Sequence, residues 1–439
     1  MVLLPAHGAA RGRLPRPGAA GVPGLRERLP RRPRGRGGGV RLPGGAGRGG
    51  RGGRGGGLRT LTGMTTTPST PAVPRLRANM AGVPAYVAGK PAVARAGLEV
   101  FKLSSNENPF PPLPSVLTAI ARAAATVNRY PDPTAGAMLA AVATRWGVGV
   151  EDLATATGSV RLLAQLAEIT CAPGDEVVYA WRAFEAYPIT AAIADATAVE
   201  VPLTADARHD LPAMLAAITE RTRLVILCSP NNPTGPALRR AELERFLAAV
   251  PRDVLVVLDE AYREFVDDPE VPDGVELWRE HPNLVVLRTF SKAYGLAGLR
   301  VGVALAHPEV ASTLRRSATP FGVSAIAQAA VVASLQTAAE AELLERVATL
   351  VAERNRVVAG LREQGWDVPD AQGNFLWLPV GERAVELAGA FGAEGLAVRP
   401  FAGAGIRVTV AETAANDRLL RVAATLLAPG QRAGADVSS

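Results

Sequence analysis

An α/β fold with a mostly parallel sheet is predicted by three features of this sequence. Five short apolar runs are continuous rather than alternating: "EVVYA" (176–180), "RLVILC" (223–228), "DVLVVLD" (253–259), "NLVVLRTF" (283–290) and "LRVGVAL" (299–305). Strands covered on both faces read this way. Helical patterns at 159–171, 210–220 and 239–249 separate the runs, as crossover helices separate parallel strands. A chain of 439 residues with 48% hydrophobic content can also bury a large core and hold more than one domain.

The remaining elements follow in order. Residues 324–364 read as two helices with a break near 337–340. Short strands at 374–380, 396–400 and 406–411 come next, then a helix at 415–427. These make a smaller α+β domain, completed by the segment before residue 105. The expected partition is a basic segment at 1–75, an N-terminal arm at 76–110, a large domain at 111–336, a small one at 337–428 and a loose tail at 429–439. No internal repeat is found.

The formal charge of +7 is misleading until it is located. Residues 1–63 contain fourteen arginines and one glutamate, a net +13, so the rest of the chain carries −6. The folded part is mildly acidic, so the overall basic balance of the chain says nothing about its active surface. The arginine-, glycine- and proline-rich start has too little apolar surface to order itself and reads as disordered. It is an RNA-binding tail, an organelle transit peptide, or translation upstream of a true start at Met64. The last is the reading preferred here. Cys171 and Cys228 read as core thiols in a reducing cytoplasm. His7, His209, His281 and His307 are scattered and predict no metal site. No uninterrupted apolar run reaches 18 residues and no signal peptide precedes the folded part, so a soluble intracellular protein is expected.

Ligands of parallel sheets collect where the strands end, so the residues after each apolar run matter most. "SPNNPTG" (Ser229 to Gly235) follows one run, and "DEAY" (Asp259 to Tyr262) closes the next. "RTFSK" ends the third at Lys292, with Arg300 after a turn. Singly, each has an ordinary explanation: a turn, a helix cap or a surface lysine. At three consecutive strand ends, coincidence is a poor account.

"SPNNPTG", "DEAYREF" and "FSKAYGLAGLR" resemble the signature of fold-type I pyridoxal-phosphate aminotransferases. Within these the chain resembles the histidinol-phosphate aminotransferase group, above all its actinobacterial aromatic (phenylalanine) aminotransferases. The likeness covers roughly residues 75–427. It also includes "KLSSNENPFPPLP" (102–114), "NRYPD" (128–132), "TGSV" (157–160), "YAWRAFEAYP" (179–188), "GNFLWL" (373–378) and "RPFAGAGIRVTV" (399–410).

The resemblance implies a large pyridoxal-phosphate-binding domain, a smaller domain and a homodimer. Lys292 would form the Schiff base with the cofactor aldehyde. Asp259 would keep the ring nitrogen protonated, Asn232 and Tyr262 would bond the phenolic oxygen, and Phe184 would stack on the ring. Backbone N–H groups at Gly158 and Ser159 would hold the phosphate, with Thr289, Ser291 and Arg300. Tyr130 would reach the phosphate of the neighbouring subunit. Arg407 would clamp the substrate carboxylate, with Arg399 as second candidate and Asn374 in support. The alternation of Ile406, Val408 and Val410 with Arg407 and Thr409 points the arginine either into the cleft or outward. Tyr86 would approach the substrate side chain from the partner subunit. Trp181 is either a core residue or a wall favouring aromatic substrates.

Two departures stand out. Val160-Arg161 replaces an acidic pair, and Ala88 replaces a proline in the loop after Tyr86. The implied reaction exchanges the amino group of phenylalanine, tyrosine or tryptophan with 2-oxoglutarate. The nearest rival is histidinol phosphate, which needs a second phosphate site that Tyr86, Arg399 and Arg182 would furnish. A phosphoamino-acid decarboxylase is a third reading. A non-catalytic regulator would need a DNA-binding module, and residues 1–75 show no helix-turn-helix pattern. Nucleic acid would be a partner only through the basic tail, and no membrane is expected.

Overall fold

The computed structural model describes residues 74–87, 89 and 97–426. The basic segment, Met64, Ala88 and the tail from 429 lie outside the described residues. After a short strand β1 (Phe101–Lys102), seven strands build the main sheet. They are β2 (Leu153–Ala156), β3 (Glu176–Trp181), β4 (Thr197–Pro202), β5 (Thr222–Cys228), β6 (Leu255–Asp259), β7 (Leu284–Thr289) and β8 (Gly302–Leu305). Their order is β2-β8-β7-β6-β5-β3-β4, and only β8 runs antiparallel to its neighbours.

All five continuous runs become strands, for the reason their composition implies. Successive residues alternate between two cores. Val225, Leu227, Val256, Leu258 and Val286 face one, while Leu224, Ile226, Val257, Val285 and Leu287 face the other. A strand wet on one face would have needed polar residues at every second position. Each such side chain contributes about 1.5–3 kcal/mol by leaving water. The sheet is therefore a stiff floor for whatever stands at its strand ends.

Some boundaries differ from expectation. β8 begins at Gly302 rather than 299, because Ala297–Leu299 forms a 3₁₀ turn and Arg300 adopts a left-handed backbone. The helix expected over 210–220 closes early, as Leu211–Ala216. The strands β2 and β4 carry weak signals: one is four residues of alanine, threonine and leucine, the other largely exposed at the sheet edge.

A second sheet is antiparallel, in the order β11-β12-β9, from β9 (Phe375–Gly381), β11 (Arg399–Phe401) and β12 (Ala404–Thr409). The run read as one strand at 396–400 is split at Val398 into β10 (Leu396–Ala397) and β11. The strand β10 pairs in parallel with β1 instead. A third core of Leu376, Leu378, Ile406 and Val408 lies against Leu103, Val357 and Leu361. The long helical stretch breaks at 335–336, between helices Ala325–Ser334 and Thr337–Glu363. Among the described residues, no helix is long and apolar enough to cross a membrane, and no group of three His, Cys, Asp or Glu could hold a metal.

Candidate active site

The ends of β7, β6, β5 and β3 stand side by side, with Cys228 in register with Asp259 and Asp259 with Leu287. Neighbouring strands lie about 4.8 Å apart, so successive ends deliver side chains on the scale of one aromatic ring. Lys292, Asp259, Asn232 and Phe184 accordingly line a single cleft of about 460 Å³.

The Lys292 amine donates to the carbonyls of Ser105 (3.1 Å) and Asn106 (3.3 Å). Burial, reinforced by the Arg407 guanidinium, pulls its pKa down from 10.5 to about 7. An ordinary surface lysine is almost wholly protonated at neutral pH, and burial here favours the free amine instead. An amine of lowered basicity at the end of a buried strand is one that could act as a nucleophile.

Asp259 is buried in the floor of the cleft. Its Oδ2 accepts from the Tyr187 hydroxyl at 2.9 Å, while Oδ1 is buried with no partner. Burial raises its pKa from 3.8 to about 6, and the Tyr187 hydrogen bond works against that rise. A buried carboxylate oxygen left unpaired is costly, and a cationic donor placed beside it would relieve that cost. Tyr187 was not singled out from sequence. Its position three residues after Phe184, in the first turn of helix Ala186–Ile193, was the available signal.

One end of the cleft gathers groups that could hold an anion. Helix Ser159–Thr170 starts after Gly158 with no side-chain cap, leaving its first N–H groups to other acceptors. Gly158 has φ +93, and a Cβ there would sit 2.7 Å from the Arg300 guanidinium. A Cβ on Gly302 would lie 2.4 Å from the Ser159 nitrogen, so glycine lets the helix start press against β8. The Ser291 hydroxyl receives hydrogen bonds from Thr289 (3.0 Å) and Arg300 (3.3 Å). Thr289, Ser291, Ser159 and Arg300 all line the cleft.

The other end carries two arginines on adjacent strands, Arg399 of β11 opposite Arg407 of β12. Arg407 turns into the cleft, while its neighbours Ile406 and Val408 enter the third core. It donates to Asn232 Oδ1 and to the Ser104 carbonyl, both at 2.6 Å, and its Nε is buried without a partner. Both acceptors are neutral. Burial and the adjacent Arg399 lower its pKa, so this guanidinium is short of negative charge. Arg399 is differently placed, because it is paired with Glu185 at 2.6 Å.

Asn106, also not singled out from sequence, ties these groups together. Its Nδ2 donates to the Tyr262 hydroxyl (3.0 Å), and its carbonyl accepts from Lys292 and from Asn374 Nδ2 (3.2 Å). Burial raises the Tyr262 pKa. Asn374 Oδ1 is buried without a partner.

Four expectations about aromatic residues fare differently. Phe184 lines the cleft with its ring edge-on to Tyr187, centroids 5.8 Å apart. Tyr86 lines the cleft of its own chain, where Arg399 Nη2 donates to the adjacent Val87 carbonyl. Trp181 does not line the cleft. It shares a face of β3 with Tyr179, packs edge-on to that ring, and carries the Arg182 guanidinium over its own. Tyr130 also stands outside this cleft, largely exposed and stacked on Phe321.

The sequence pattern of the family described as "Aminotransferase class I and II" matches residues 99–423. A protein of Streptomyces avermitilis named aromatic amino acid aminotransferase is 61% identical over 348 residues, covering 79% of this chain and 96% of its own. A protein of the same name from Thermobifida fusca is 56% identical over 350 residues, 80% of this chain and 96% of its own. Among solved structures, histidinol-phosphate aminotransferase of Sinorhizobium meliloti in complex with pyridoxal-5'-phosphate superposes with a TM-score of 0.68 at 31% identity. It covers 74% of this chain and 91% of that one. With a reactive amine and a buried acid at neighbouring strand ends, and with these relatives, the chain belongs to the class I and II aminotransferases.

Proposed function

We propose that this chain is a pyridoxal-phosphate enzyme that moves the amino group of phenylalanine, tyrosine or tryptophan to 2-oxoglutarate, working as a homodimer. One observation carries the reading: a single cleft holds a lysine amine of lowered basicity and a buried carboxylate oxygen that has no partner.

The residues present suit each part of that cofactor. Lys292 would hold its aldehyde carbon, and the free Oδ1 of Asp259 its ring nitrogen. Asn232 and Tyr262 would meet its phenolic oxygen, and Phe184 its ring face. The glycine cradle at Gly158 and Ser159, with Thr289, Ser291 and Arg300, would hold its phosphate. Tyr130, exposed on this copy, would serve the phosphate of a second copy. When bound, pyridoxal phosphate supplies an electron-withdrawing ring that acidifies the substrate's Cα–H.

The protein's own groups do the rest. Arg407 holds the substrate carboxylate in a bidentate grip. Lys292 Nζ, displaced by the substrate's amino group, takes the Cα proton and later returns it, acting first as base and then as acid. Asn106 and the Ser105 carbonyl keep that amine positioned beside Cα. Tyr86, Ile189 and Phe401 give the cleft an apolar wall that suits an aromatic side chain and keeps water out.

The relatives named for aromatic amino acids support the substrate class, and so does Arg399. A phosphorylated substrate would need a free cation, and Arg399 is already neutralised by Glu185. Arg182 lies over Trp181 instead. Steady-state assays with phenylalanine and with histidinol phosphate, each with 2-oxoglutarate, test the reading. Phenylalanine should lead in kcat/KM by about a hundredfold or more. A lead of that size for histidinol phosphate would overturn the substrate assignment and leave the family untouched.

A pH profile tests the amine. The free base reacts with aldehydes and the ammonium does not. The rate at which cofactor-free protein takes up pyridoxal phosphate should therefore rise with pH through about 7 and flatten by about 8 to 9. A rate that climbs steadily to pH 10, as for an ordinary lysine, would show that the cleft does not lower the basicity of Lys292.

A further inference from the structure

The charge balance at the arginine end of the cleft points to a residue that sets substrate preference, and this inference rests on the aminotransferase reading above. Glu185 sits at the N-cap of helix Ala186–Ile193, where a carboxylate would ordinarily accept from the backbone N–H groups of the first turn. It makes no such cap. Its carboxylate instead crosses to β11 and pairs with Arg399 Nη2 at 2.6 Å, with both residues lining the cleft. The two arginines are cross-strand neighbours of like charge, an arrangement that is unfavourable unless something offsets it. Two guanidiniums and one carboxylate leave a single positive charge at this end. That balance matches a substrate with one carboxylate and an uncharged side chain, and it leaves an unmatched negative charge when the substrate has two carboxylates.

We infer that Glu185 is a specificity-determining residue: by occupying Arg399 it biases the cleft toward monocarboxylate substrates with uncharged side chains and against dicarboxylates. Arg407 is left as the working clamp, and a dicarboxylate gains a second guanidinium only by displacing Glu185. Both halves of the reaction pass through the same cleft, so Glu185 sets how the enzyme divides its affinity between an aromatic amino acid and the dicarboxylate 2-oxoglutarate. The ion pair is only partly screened, with side-chain exposures of 8% for Arg399 and 28% for Glu185. Removing the acid should therefore change affinity measurably.

The test compares two unreactive ligands on the pyridoxal-phosphate-loaded protein by titration calorimetry: 3-phenylpropionate, with one carboxylate, and glutarate, with two. In Glu185→Gln, glutarate should bind about five- to tenfold more tightly, the range expected for freeing one partly buried cation. Binding of 3-phenylpropionate should change by less than about twofold. Arg399→Gln should do the reverse, weakening glutarate and sparing 3-phenylpropionate. Kinetically, the kcat/KM ratio of glutamate to phenylalanine should rise in Glu185→Gln. Glu185→Ala, which also removes the carboxylate, is the second variant should the first fold poorly, and it should move glutarate in the same direction. Unchanged glutarate affinity, or equal shifts for both ligands, would overturn the assignment. Failure of the parent reading looks different: the unsubstituted protein would then not turn over phenylalanine, while the calorimetric ratio would still judge Glu185.

Discussion

Lys292→Ala should abolish transamination, lowering kcat by at least about 10⁴-fold, and should leave purified protein without the visible absorbance of lysine-linked pyridoxal phosphate. Two functions are lost together. On the proposed reading the amine is both the covalent anchor for the cofactor aldehyde and the group that moves the Cα proton. No other described residue can substitute: Lys102 pairs with Glu107 away from the cleft. Burial that lowers the Lys292 pKa to about 7 also means that alanine removes a group whose charged form the fold disfavours. The variant should therefore fold at least as stably as the parent, which separates lost chemistry from lost structure. Borohydride reduction followed by peptide mass spectrometry checks the site directly. The label should fall on the Lys292 peptide in the parent and be absent in the variant. Label on a different lysine, or retained turnover, would mean that the nucleophile lies elsewhere.

Asp259→Ala should give a contrasting result, with the cofactor still linked to Lys292 but kcat reduced about a hundred- to a thousandfold. Linkage needs only the amine. On the proposed reading turnover needs the ring nitrogen kept protonated, and among the described residues the buried carboxylate in the cleft floor is Asp259. With its pKa raised to about 6 by burial, this carboxylate is held ionised chiefly by what stands beside it. The Tyr187 hydroxyl does part of that work, and a cationic ring nitrogen at Oδ1 would do the rest. Absorbance spectra and steady-state rates on the same sample decide the matter. If colour and turnover vanish together, Asp259 supports folding of the site rather than the chemistry. If neither changes, the acid is not needed for the reaction.

Much of this site was legible because its parts are local. The runs ending at Cys228, Asp259 and Thr289 are continuous and apolar, so both the strands and their ends could be read. The parallel order then places "SPNNPTG", "DEAY" and "FSK" side by side. What could not be read depends on contacts between distant segments. Asn106 reaches Tyr262 across 156 residues, Tyr187 reaches Asp259 across 72, and Glu185 reaches Arg399 across 214. No periodicity or spacing encodes such pairings. Trp181, readable either as a core residue or as a cleft wall, packs edge-on to Tyr179 and does not line the cleft, a choice its neighbours in sequence could not decide. The split at Val398 was also invisible, because "LAVRP" has the composition of one strand although its halves pair with β1 and β12 respectively.

Arg300 has a left-handed backbone, with φ 52 and ψ 67, a conformation costing a residue with a Cβ about 1 kcal/mol or more relative to glycine. A survey of main-chain comfort alone would nominate glycine there, and thermal tolerance would improve. That same exchange would delete the guanidinium bonded to Ser291 beside the helix start. Attempts to harden this protein against heat should therefore leave position 300 untouched, since the same left-handed residue is the one proposed to grip the anion.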